Sequence, residues 1–88
     1  MRMEKTIHTE EYAALLGLLR ESRRAARLTQ VDLARKIRQS QSFVSKAEVG
    51  ERRLDVIQLR TMCHGLGTTL PAFVARLEDR LTKKRKRR

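Results

Sequence analysis

Tryptophan is absent, and the other aromatics number only three: Tyr12, Phe43 and Phe73. A core with so little ring bulk must be filled by Leu, Ile, Val and Ala, a stock that suits packed helices. A single cysteine, Cys63, excludes an internal disulfide. No apolar run approaches the length that spans a bilayer, and "MRMEKTIHTEEY" has no apolar stretch of the kind a secretory leader needs. These absences lead to the expectation of an intracellular, cytoplasmic protein. The histidines, His8 and His64, lie far apart, and the Cys63-His64 pair has no second ligand pair, so no metal site is expected. Glycine-rich phosphate loops and hydrolase elbows are also missing, and neither enzyme chemistry nor a cofactor is indicated. Acidic residues are scarce as well: ten stand against twenty-one Lys and Arg, a formal +11.

That basic surplus is the strongest positive signal. Six of the bases form "KKRKRR", residues 83–88, but the remainder still holds fifteen bases against ten acids, a net of +5. A polyanionic partner follows. Nucleic acid fits better than a membrane surface, because no segment pairs a basic face with bulky apolar anchors. In 88 residues there is room for one modest core.

Periodicity predicts an all-α chain. Thr9 caps a first helix with the stripe Tyr12, Leu15, Leu16, Leu19 and Ala26, running to about Arg27. Arg23 falls on that stripe, where a charge either extends to water or has a partner waiting. Thr29 caps a short second helix with Leu33, Ala34 and Ile37 inward. Ser40 caps a third, from Gln41 to about Val49, with Val44 and Ala47 inward and Gly50 able to end it. Asp55 caps a fourth, with Leu59, Met62, Cys63 and Leu66 inward and Gly65 and Gly67 closing it. Thr69 begins a fifth, with Leu70, Phe73, Val74, Leu77 and Leu81 on one side. That stripe exceeds what docking one terminal helix needs, so part of it, near Leu77 and Leu81, is expected to meet a second copy. Nothing apolar follows Lys83, which predicts a disordered basic tail. The resulting division is an N-terminal arm (1–8), a bundle (9–81) and a tail (82–88).

The second and third helices, joined by about three residues with small Ala34 where they cross, describe a helix-turn-helix. Spacing of this kind is common in helical bundles, so residue type must decide. In "RQSQSFVSK", residues 38–46, Gln41 and Ser42 open the third helix and Lys46 follows one turn later. These are positions an inserted helix aims at base edges: Gln pairs bidentately with adenine, Ser contacts either base class, and Lys reaches guanine or phosphate. Phe43 reads as packed beside the second helix rather than against a thymine methyl.

The stretch from Leu19 to Phe73 resembles the Cro/C1-type helix-turn-helix family, also called the XRE family. The resemblance rests on Arg23, Thr29-Gln30, Leu33-Ala34, Ser40, Val44-Ser45, Glu48-Val49-Gly50 and Leu66-Gly67. It implies a five-helix, lambda-repressor-like bundle that binds operator double-stranded DNA as a homodimer. Carried onto this chain, it implies that Gln30 approaches a phosphate and braces Gln41. Gln41, Ser42 and Lys46 would face bases, with Ser40 and Ser45 beside them, and Arg52 and Arg53 would approach the sugar-phosphate backbone. Arg23 and Glu48 match positions that form an internal ion pair. Family members commonly carry glycine where Arg27 and Arg38 stand here. Arg38 therefore either accepts a left-handed backbone at about 1 kcal/mol or the turn takes another geometry. The expected function is a repressor of a palindromic operator, bacterial or phage-encoded and associated with the nucleoid. The alternatives are an antitoxin that binds DNA and a protein toxin, or an accessory protein gripping nucleic acid through its tail. Only residues 1–8 and 82–88 lie outside the expected bundle, which favours the stand-alone regulator.

Overall fold

Every helix begins where a side-chain oxygen takes up an orphan backbone amide. The computed structural model describes the backbone of residues 9–86 and the side chains of residues 9–83, so the arm at 1–8 lies outside the described residues. Five helices follow in order among them: α1 (Glu10–Ala25), α2 (Gln30–Ile37), α3 (Gln41–Val49), α4 (Val56–Gly65) and α5 (Leu70–Lys86). The Thr9 hydroxyl accepts from the Tyr12 amide at 3.1 Å and Ser40 from Phe43 at 3.0 Å. Thr69 accepts from Ala72 at 3.2 Å. Thr29 with Asp32, and Asp55 with Gln58, form reciprocal capping boxes. All five expected caps are present.

The core is aliphatic, as the shortage of rings requires. Leu18, Leu19, Leu33, Val44, Ala47, Met62 and Cys63 are fully enclosed, and Phe73 is the one wholly buried ring among the described residues. Helix α1 packs against both α3 and α5, α2 against α3 and α4, and α4 against α5. Because α1 is flanked on two sides, its buried arc is wider than a single stripe. Leu18 and Ser22 join it, whereas Ala26, expected inside, caps the helix and is exposed. Arg76 of α5 donates to the Ser22 hydroxyl at 3.4 Å. Arg80 forms a fork on Glu21 at 2.7 and 3.2 Å, and this hydrogen bonding holds the Glu21 carboxyl below its ordinary range. No helix among the described residues is long and apolar enough to cross a membrane.

One expectation is corrected. Helix α5 continues through Lys86, where a disordered segment from Lys83 onward was expected, and residues 87–88 lie outside the described residues. Lys and Arg are good helix formers, and cations near a helix C-terminus are favoured by its dipole. A lack of apolar residues therefore does not end a helix. Helix α4 ends at Gly65 as expected, and Gly67 takes the positive φ of 84° just after it. A Cβ on Gly65 would lie 2.6 Å from Ile37 Cγ2 and 2.8 Å from Leu33 Cδ1, so the missing side chain lets α4 close onto α2. Gly65→Ala should therefore cost about 1–3 kcal/mol through overpacking, measured by urea denaturation.

The turns leave two arginines in the left-handed region, Arg27 (φ 62°) and Arg38 (φ 58°). The amides of Arg38 and Gln39 turn back onto the carbonyls of Arg35 and Ala34, which closes α2 in that geometry. Left-handed backbone costs a residue with a Cβ about 1–2 kcal/mol, while glycine adds about 0.4–1 kcal/mol of unfolded-state freedom. Arg38→Gly should thus gain roughly 0.5–1 kcal/mol and raise the melting temperature by about 2–8 °C. A lower melting temperature would show that Arg38 makes a compensating contact.

Candidate nucleic-acid interface

Between α2 and α3 lie Arg38, Gln39 and Ser40, and small Ala34, buried on α2, permits the close crossing. Asp32 secures the start of α2: its carboxyl is held below the ordinary range by hydrogen bonds from the Thr29 amide and hydroxyl. A depressed carboxyl stabilises the fold above its unfolded pKa and loses that contribution as pH falls through the folded value. The box therefore operates at neutral pH and weakens only in acid.

On α3, Val44, Ala47 and Glu48 turn inward, while Gln41, Ser42 and Lys46 are exposed and Ser45 is half-buried. Spacings of three, four and seven residues put Ser42, Ser45, Lys46 and Val49 on one outward face. Val49 is exposed there, an apolar residue in a polar row that periodicity alone had assigned no role. Ser40 spends its lone pairs on the Phe43 amide but keeps a hydroxyl proton to donate.

Beneath this face lies a buried ion pair. Arg23 Nε donates to Glu48 Oε2 at 2.6 Å and Arg23 Nη2 to Glu48 Oε1 at 3.1 Å, with Glu48 only 1% exposed and Arg23 9%. The remaining guanidinium nitrogen, Nη1, donates to the Leu28 carbonyl at 3.0 Å. Gln30 Nε2 donates to Glu48 Oε1 at 3.0 Å, and Gln41 Nε2 donates to Gln30 Oε1 at 2.8 Å. The two glutamines are thus chained to the ion pair. Arg20, which sequence reasoning missed, donates from α1 to the Glu48 backbone carbonyl at 2.8 Å and so satisfies an end of α3. Its only sequence signal is a position three residues before Arg23.

Arg52 and Arg53 follow α3 as exposed residues, each resting on a ring. The Arg52 guanidinium lies 5.0 Å from the centre of Phe43, and that of Arg53 4.7 Å from Tyr12. Stacking leaves the guanidinium edges free to donate while limiting the side chain's wandering. Phe43 is half-buried against the core, so it serves as packing and as a platform. No group of His, Cys, Asp and Glu among the described residues could hold a metal ion.

Comparison with known proteins agrees with the helix-turn-helix fold. The helix-turn-helix family pattern matches residues 19–73. An XRE-family like protein from Pseudomonas syringae pv. tomato is 51% identical, over 86% of this chain and 93% of that one, with a TM-score of 0.78. The clp gene regulator ClgR from C. glutamicum is 25% identical over 82% of this chain and 94% of its own, with a TM-score of 0.70. No curated protein matches the chain.

Removing one member of a buried ion pair strands the other without water. Glu48→Ala should therefore cost about 3–5 kcal/mol of stability. Lys46→Ala, on the exposed face of the same helix, should stay within about 0.5 kcal/mol. Paired denaturation curves separate the two.

Proposed function

Since the chain belongs to the XRE-type helix-turn-helix family of DNA-binding transcriptional regulators, we propose that it is a sequence-specific repressor acting on a palindromic operator as a homodimer. Its partner is double-stranded DNA. The observation that carries the specific reading is the outward face of α3, where Gln41, Ser42 and Lys46 are exposed while Val44, Ala47 and Glu48 are buried.

The roles divide by chemistry. Gln41 offers adenine a donor and an acceptor, Ser42 and Ser45 reach either base class, and Lys46 takes guanine or phosphate. Val49 suits a thymine methyl. Ser40, Gln30, Arg52 and Arg53 meet the sugar-phosphate backbone, which orients the helix without reading sequence. The basic run 83–88 adds phosphate neutralisation and salt-dependent affinity of the same unspecific kind.

Helix α5 is a poorer dimer surface than its stripe suggests. Leu70 and Leu77 pack on the protein's own core and Leu81 is half-buried, which leaves Val74, 43% exposed, as the stripe's open member. The most exposed large apolar side chains are Ile57 at 66% and Val56 at 61%, adjacent at the start of α4. A second copy is proposed to meet this pair about a two-fold axis, and a dimer that reads two half-sites must set its α3 helices in successive major grooves, ~34 Å apart. Ile57→Asp should leave the monomer folded, abolish the dimer in sedimentation and weaken binding to a two-half-site duplex far more than to one half-site. Unchanged sedimentation would move the interface elsewhere.

Gln41→Ala tests the reader. On the best-bound duplex it should cost about 1–3 kcal/mol, the range for one bidentate base contact, with little change on random DNA or in melting temperature. Equal losses on both DNAs would mean that α3 only grips the backbone.

A further inference from the structure

A glutamine amide has two nearly isosteric ends, and an exposed one can present its oxygen and nitrogen in either order. Adenine offers N7, an acceptor, beside N6, a donor, and reversing the base pair reverses that order across the major groove. A reader free to flip therefore accepts adenine on either strand, whereas one with a fixed order prefers one strand. What fixes the order here lies two side chains away, inside the protein.

Glu48 is a carboxylate and supplies acceptors alone. Both of its oxygens are held by Arg23, and Oε1 also takes a proton from Gln30 Nε2 at 3.0 Å. Gln30 must therefore turn its NH2 group inward, since its carbonyl oxygen would meet an oxygen in the reversed orientation. Its Oε1 is then left facing Gln41, and Gln41 must answer with a donor, Nε2, at 2.8 Å. One proton of that NH2 is spent on Gln30, while the other and the Oε1 of Gln41 remain for a ligand. The polarity of the exposed amide is thus dictated by the buried charge, although Glu48 itself is enclosed and cannot touch DNA.

We infer that Glu48 is a positioning residue for sequence recognition, setting through Gln30 the donor-acceptor order in which Gln41 meets a base pair and so its preference between A·T and T·A. This rests on the reader role proposed for Gln41, and the two can fail separately. The base pair concerned is the one at which Gln41→Ala loses preference. If no base pair responds to Gln41→Ala, the reader role falls and the inference falls with it.

The decisive variant replaces both ion-pair members, Arg23→Met with Glu48→Leu, so that no buried charge is stranded; such exchanges are often neutral or stabilising. Gln30 and Gln41 remain but lose their reference acceptor. The ratio of affinities for duplexes carrying A·T or T·A at the Gln41 position should drop about fivefold, the worth of one ordinary hydrogen bond, while random-DNA binding holds. Adding Gln30→Glu to this variant restores an acceptor-only neighbour for Gln41 and should return the ratio, even though the new charge lowers affinity for both duplexes. A merely structural role for the pair predicts no such rescue. An unchanged ratio in the folded double variant, or a lost ratio that Gln30→Glu does not restore, would overturn the inference. If the double variant does not fold, the side-chain amide protons of Gln30 and Gln41 in the intact protein decide by NMR. Slowed exchange of one proton on each NH2 supports the relay, and exchange at the rate of a free glutamine contradicts it.

Discussion

The geometry of the whole interface hangs on the contact between Arg23 and Glu48. Two charges nine-tenths or more enclosed are costly to desolvate, and such a pair is tolerated only when its remaining donors and acceptors are satisfied. Here they are. Glu48 receives Arg23 at both oxygens and Gln30 at one, and Arg23 passes its remaining nitrogen to the Leu28 carbonyl. The pair thereby joins α1, the turn after it, the start of α2 and the end of α3. An aliphatic core with few rings packs well but slides easily, because Leu and Val contacts have no direction. A forked ion pair has direction, and it holds α3 at one angle against α1.

The second constraint is the division between grip and reading. In the proposed function a formal charge of +11 attracts any duplex, and that attraction carries no sequence information. The proposed specificity would then come from a few neutral polar groups held still. The structure supplies stillness on both sides of α3: Gln41 is tied through Gln30 to a buried carboxylate, while Arg52 and Arg53 rest on Phe43 and Tyr12. Two of the three aromatics thus pack at the edge of the core and orient arginines as well. The strained Arg27 and Arg38 show a cost accepted nearby, because both turns close in a geometry that glycine would adopt more easily.

Much of this was legible in the sequence, for local reasons. Caps depend on residues three apart, so Thr9, Thr29, Ser40, Asp55 and Thr69 announced all five helix starts. The exposure of Gln41, Ser42 and Lys46 followed from helical spacing. What escaped required knowing which helices become neighbours. Leu18 and Ser22 are buried because α5 covers a second side of α1, and Gly65 is a packing residue because α2 crosses there. The charge on Arg23 posed a visible puzzle, but its partner is 25 residues away and was supplied by resemblance rather than periodicity. The link from Glu48 to Gln30 has no sequence signature at all. The helix through Lys86 was misjudged because an apolar stripe marks where a helix packs, not where it stops.

The central claim is that α3 reads bases from a two-fold symmetric protein. Selection of bound duplexes from a random pool with the intact chain tests it most directly. The expected product is a palindromic consensus whose half-site centres lie about one helical turn, ~10 base pairs, apart. A pool that stays random through successive rounds, with retention set by salt alone, would contradict it.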